Sequence, residues 1–225
     1  MRSPRFALRA AVVAAALTAC GTGDETSAAP PEARSEAAAS SAAFDYWVLA
    51  LSWSPEYCAS RDARPDSNQC TSPHEFVVHG LWPQFERGHP EFCDTRTRVD
   101  ERIARRLEPL VPDRGLVFHQ WKKHGSCSGM DPDAYFSTLE KARAAIQVPA
   151  SFLAAAADRR VRRIDLEQAF VDVNPGMSAR SITIHCTGGR LREVRVCLGK
   201  DLAPRACGAD VDEACGRELG VRPVD

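Results

Sequence analysis

Three histidines, a lysine pair and two tryptophans fall into two short segments, Val78-His79-Gly80-Leu81-Trp82-Pro83-Gln84 and Phe118-His119-Gln120-Trp121-Lys122-Lys123-His124-Gly125-Ser126-Cys127. Histidine gives or takes a proton near neutral pH, so two of them can share acid and base work. A lysine beside them supplies fixed positive charge for a developing anion. An indole offers a flat face on which a base or sugar stacks. A titrating pair, a cation and a stacking platform together suit phosphoryl transfer on a nucleotide polymer. A histidine alone in a strand-like run such as His79 reads more readily as a core residue; the second segment reverses that reading.

The elements that must position these groups alternate between strand and helix. Asp45–Trp53 is aromatic and aliphatic throughout, a buried strand that stops at Ser54-Pro55, and it takes Trp47 and Trp53 into the core. Glu75–Val78 is a short apolar run leading into His79. Val99, Ile103 and Leu107 make an amphipathic helix that ends before Pro112. Asp131-Pro132 caps a helix through Phe136, Leu139, Ala142 and Ile146, and Ile164–Val173 is a further helix stopped by Asn174-Pro175-Gly176. Ser181–His185 and Leu191–Cys197 alternate across Gly188-Gly189 as a hairpin. This mixture lacks a regular βαβ alternation, so the fold class is α+β. The arginines at 102, 105 and 106 and the run Arg159–Arg163 read as solvated faces. His74, His89 and His185 lie outside the two segments and are given no functional role.

The chain has 225 residues, a net charge of −1 and nine cysteines. Near-zero charge excludes a globally basic nucleic-acid coat, so an anionic substrate must be held by a local patch. Its 44% hydrophobic content is inflated, because fifteen of the first 43 residues are Ala. Arg2, Arg5 and Arg9 precede the apolar stretch Ala10–Leu17, a secretory leader too short to span a membrane. It ends Leu17-Thr18-Ala19-Cys20, which resembles a bacterial lipobox, so residues 1–19 are expected to be removed and Cys20 lipidated. Residues 20–43, rich in Ala, Ser, Pro and Glu without hydrophobic period, form a disordered tether. The domain is 44–225. Eight cysteines remain, at 58, 70, 93, 127, 186, 197, 207 and 215. An exported chain meets an oxidising compartment, so four disulfides are expected, and the residues leave 105 pairings open. The protein is expected to sit in the cell envelope, held there only by its lipid, as a monomer.

The two segments resemble the active-site motifs of the ribonuclease T2 family. The first, HGLWP, stands letter for letter at His79–Pro83; the second, HEWxKHGTC, is matched by HQWKKHGSC at His119–Cys127. LALSWSP at 49–55, PEFCD at 90–94 and the Asn-Pro-Gly followed by paired strands extend the likeness over most of residues 45–200. The resemblance implies a central antiparallel sheet flanked by helices and stapled by Cys58–Cys70, Cys93–Cys127, Cys186–Cys215 and Cys197–Cys207. It implies single-stranded RNA as substrate, no cofactor, no metal and no cleavage of DNA. His124 would be general base on the ribose 2′-OH and His79 general acid on the departing 5′-oxygen. Lys123 would stabilise the five-coordinate phosphorus, His119 would bind phosphate and Trp82 would stack on a base. The product would be a 2′,3′-cyclic phosphate, later opened to a 3′-phosphate.

Two positions depart from the pattern. Gln120 replaces the family's Glu at a catalytic position; it keeps shape and can donate a hydrogen bond but cannot titrate. Ser126 replaces Thr and keeps the hydroxyl. Gln120 motivates an alternative, a catalytically impaired relative that binds RNA. A zinc hydrolase using His79, His119 and His124 is a second alternative. His119 and His124 are five apart rather than the four of a helical zinc motif, which argues against it.

Overall fold

In the computed structural model, which describes residues 44–151 and 157–224, the first apolar run becomes strand β1 (Tyr46–Trp53) with all eight residues buried. A strand buried on both faces must lie inside a sheet, and β1 does. Helix α1 (Ser54–Cys58) starts at the expected Ser54-Pro55 stop, and α2 (Asn68–Thr71) follows. Strand β2 (Phe76–Gln84) is longer than the apolar run at its start suggests. It carries Pro83, which lacks a backbone donor, and its edge position tolerates this.

Helices α3 (Glu101–Leu107), α4 (Arg114–Lys123) and α5 (Pro132–Ala145) each begin at an aspartate. Asp100, Asp113 and Asp131 accept hydrogen bonds from backbone N–H groups of the first turn, which would otherwise have no partner. Strand β3 (Arg159–Arg162) runs directly into α6 (Arg163–Val173). The Arg159–Arg163 run is therefore not a plain solvated face. Its residues pair with the last strand, and Arg163 reaches Glu213 at 3.3 Å as well as Glu167. Strands β4 (Ile182–Thr187) and β5 (Arg190–Leu198) form the hairpin across Gly188-Gly189, and β6 (Glu218–Val221) closes the chain.

The sheet runs β2-β1-β5-β6-β3, with β4 also on β5. It is antiparallel apart from one pairing, β5 with β6, which is parallel at Arg190 and Gly220. The central sheet is thus antiparallel as expected, and the single parallel pair arises because β6 arrives after a long loop and not by a hairpin. Trp47, Trp53, Tyr135 and Phe136 are fully buried in one core with residues of all six helices except the short α1 and α2. Truncating any of these aromatics to Ala would cost about 3–5 kcal/mol. Four disulfides join Cys58–Cys70, Cys93–Cys127, Cys186–Cys215 and Cys197–Cys207. The leader, the tether and Cys20 lie outside the described residues.

Candidate active site

The two histidine-bearing segments meet at one cavity of about 340 Å³ lined by His79, Trp82, His119, Gln120, Lys123, His124 and Arg195, among others. His79 comes from β2 and the rest of the acid–base groups from the end of α4. Between β1 and β2 the register passes from Ala50–Gly80 to Leu51–Val78, which leaves His79 as the extra residue of a β-bulge. Such a bulge bends the strand and re-aims a side chain. His79 is half-buried, and its Nδ1 lies 2.6 Å from Oε2 of Glu193. An ionised carboxylate only accepts, so Nδ1 carries the proton and Nε2 is the nitrogen left for exchange. Burial opposes charge on Glu193, but the hydrogen bond and charge of His79, with those of Arg195, outweigh it and hold the carboxyl at about 2.

Helix α4 ends at Lys123 with His124 as its C-cap, and Lys122 and Lys123 stand at the negative end of the helix dipole. His124 is buried, and its ring stacks on Trp82 with centroids 5.1 Å apart at 27°. Burial first, then the charges of Lys123 and His79, push its imidazole down to about 3. Among the described residues its Nδ1 has no hydrogen-bond partner. His119, five residues earlier with its outer edge in solvent, is also pushed down, by loss of water around the ring first and then by the charges of Lys123 and His79. Lys123 Nζ lies 3.5 Å from Glu91, and Lys123 O accepts from the N–H of Phe92. The Cys93–Cys127 disulfide thus ties the loop that touches Lys123 to the turn that follows His124.

Gln120 is buried, with its Oε1 2.8 Å from Nε1 of Trp82. Indole N–H is a donor only, so the amide oxygen must face it. The residue braces Trp82 beside the two histidines. This close contact explains Gly80: a Cβ there would stand 2.1 Å from Oε1 of Gln120 and 2.3 Å from the indole nitrogen of Trp82. Gly125 has the same kind of role, since a Cβ would meet Trp121 and Tyr135 at 2.7 Å. Trp82 is half-buried, with His79 edge-on at 5.2 Å and the Arg195 guanidinium 5.0 Å from its ring centre.

Glu193 and Arg195 escaped the sequence reading. The available signal was a single acid between Arg192 and Arg195 in the strand Leu191–Cys197, and nothing local shows that its partner is 114 residues away. His89, given no role from sequence, lines the same cavity with its ring 6.4 Å from that of His124. A second cavity of about 330 Å³, bordered by Tyr57, Leu116 and Arg192, shares His79 and His119 with the first. Among the described residues no three His, Cys, Asp or Glu side chains are arranged to hold a metal ion, so the three histidines converge on one cavity without forming a ligand cluster.

Residues 44–207 match the Ribonuclease T2 family. The chain is 51% identical over 87 residues to "Ribonuclease" of Aeromonas hydrophila, an alignment covering 39% of each chain, so it spans well under half of that relative. It is 28% identical over 204 residues to "Ribonuclease I" of Escherichia coli, covering 70% of this chain and 76% of that one. Among solved structures, RNase NT in complex with 5′-AMP superposes with a TM-score of 0.66 at 24% identity, over 80% of this chain and 98% of that one. Trichomaglin, described as an S-like ribonuclease, gives 0.66 at 24% identity, over 81% and 99%. At such identities these two speak for the fold.

Proposed function

The chain belongs to the ribonuclease T2 family, and from that membership and the cavity's geometry we propose that it is an endoribonuclease that cuts single-stranded RNA by attack of the ribose 2′-OH, without a metal. The observation that carries this reading is one cavity holding two histidines in opposite surroundings. His124 is buried among cations and is uncharged at any pH well above about 3, as a general base must be. His79 is hydrogen-bonded to a carboxylate, as suits a general acid.

In this mechanism His124 takes the 2′-OH proton as the O2′–P bond forms. Lys123 and His119 stabilise the added charge on the five-coordinate phosphorus. His79 delivers its Nε2 proton to O5′ as the P–O5′ bond breaks, leaving a 2′,3′-cyclic phosphate that water later opens to a 3′-phosphate. Trp82 offers stacking to a base, and the two cavities that meet at His79 and His119 suit nucleotides on either side of the scissile phosphate. DNA has no 2′-OH and is not cut. The test is incubation of the purified protein with RNA and with DNA in EDTA, from about pH 4 to 8. Cyclic-phosphate ends from RNA and intact DNA are expected; RNA left whole at every pH overturns the proposal.

The reading as an impaired RNA binder is not adopted, because Gln120 braces Trp82 while His79, Lys123 and His124 all reach the cavity. Glu at this position would still accept from the indole, but its charge one turn before His124 would favour the imidazolium. In Gln120→Glu the acidic limb of kcat/KM against pH is therefore expected to move to higher pH, with a smaller change near neutrality. An unmoved limb would show that position 120 does not sense the base.

We further propose export and lipidation at Cys20, supported by the charged and apolar leader before it and by four disulfides that need an oxidising compartment. Cys20→Ala is expected to abolish incorporation of a labelled fatty acid and to move the protein from membrane to soluble fractions. Unchanged labelling would remove the anchor from the picture.

A further inference from the structure

Resting on the reading just given, the geometry points to Glu193 as the positioning residue for the general acid: it holds His79 by Nδ1 so that Nε2 meets the departing 5′-oxygen, and it steadies Arg195 at the same cavity. Glu193 stands on β5 and His79 on β2, with β1 between them. Two strand spacings are roughly 10 Å, and the side chains close that gap over Ser52, the cross-strand neighbour of Glu193. Ser52 is small enough to let them pass, and its hydroxyl lies 3.5 Å from Oε2. The bulge at His79 supplies the rest of the reach.

A structural ion pair would explain only half of this arrangement. Oε1 of Glu193 accepts from Arg195 Nε at 2.7 Å, which already neutralises the buried charge. The other oxygen is turned to a half-exposed histidine at the cavity wall, the shorter of the two contacts at 2.6 Å. Placing a carboxylate 4% exposed in a sheet is costly unless each oxygen is satisfied. The other titrating groups facing His79 are His119 and His124 of the α4 end, with which it interacts by charge, and the uncharged Trp82 of its own strand meets its ring edge to face. Around Glu193 stand Arg195 of β5 and, across the strand pair, His185 of β4. Glu193 is the anion bonded to the acid, and its Oε2 fixes which ring nitrogen faces the cavity.

The test compares two substrates, a dinucleoside phosphate, whose alkoxide must be protonated to leave, and a nucleoside 3′-(4-nitrophenyl phosphate), whose leaving group departs without a proton. Glu193→Gln is close in shape and lacks the charge. It is expected to lower kcat on the dinucleoside phosphate by about 10²-fold and to affect the nitrophenyl ester far less. Glu193→Asp keeps the charge one methylene short and should fall between wild type and Gln. His79→Ala should show the same substrate pattern more strongly. Equal losses on both substrates would reduce Glu193 to a folding role, and no loss on either would also overturn the inference. If His79→Ala discriminates between the substrates while Glu193→Gln does not, the acid assignment stands and the positioning role falls. A wild-type protein inert on every substrate overturns the ribonuclease reading and this inference with it.

Discussion

Replacing His124 by Ala is expected to lower kcat/KM for RNA by about 10²–10⁴-fold, the range set by loss of a positioned general base. The effect should be as large on a substrate with a good leaving group, because the base acts on the nucleophile. The wild-type rate should hold well below pH 5, since burial and neighbouring cations push His124 down to about 3. A loss under tenfold would take the base role away from this residue.

The same depressed histidine carries a stability signature that separates lost chemistry from lost fold. In the unfolded chain its ring binds a proton below about 6.5, whereas in the folded protein it stays neutral down to about 3. The unfolded state therefore binds more protons across that window, and stability rises with pH through it. At pH 4 the cost is on the order of 3 kcal/mol. Glu193, held at about 2, adds stability that is present above its unfolded value and is lost as pH falls through about 2. In His124→Ala the first contribution vanishes, so Tm should fall less between pH 7 and pH 4 than in the wild type. Thermal melts at the two pH values read this directly.

Removing the Cys93–Cys127 disulfide is expected to be the other large perturbation. The bond spans 34 residues, and the loop-entropy relation puts its loss at about 4 kcal/mol, or roughly 8–16 °C in Tm for a domain of this size. Activity should fall further than stability explains. The freed segment includes Glu91, which pairs with Lys123, and Phe92, whose N–H bonds the Lys123 carbonyl. Cys93→Ser/Cys127→Ser, assayed well below its lowered Tm, should therefore show reduced kcat. Full activity at that temperature would mean that Lys123 is held by α4 alone.

Much of this molecule was legible because its signals are local. Asp131-Pro132 announces a helix start within three residues, and Asp131 accepts from Ala134 N as such a cap should. The run at 46–51 is apolar at every position, so it reads as an inner strand. The Gly188-Gly189 turn sets its hairpin by backbone freedom, with both glycines at positive φ. His119, Lys123 and His124 share one helix end, so their spacing alone brought them together. Other features failed for equally physical reasons. The length of β2 was hidden by Pro83, which only an edge position excuses, and the parallel β5–β6 pairing is made by segments about thirty residues apart.

Residue types and short spacings thus named the groups that can exchange protons, because helix caps, turns and motif contacts are settled within a few residues. Which histidine is neutral and which is held by an acid depended on packing. His124 is uncharged because a folded core excludes water from it. His79 is aimed because a bulge turns it toward Glu193, 114 residues away in the chain and separated by a strand. The eight cysteines likewise permitted 105 pairings until folding brought particular sulfurs within bonding distance. Burial, partner charge and long-range contact exist only once the sheet has formed.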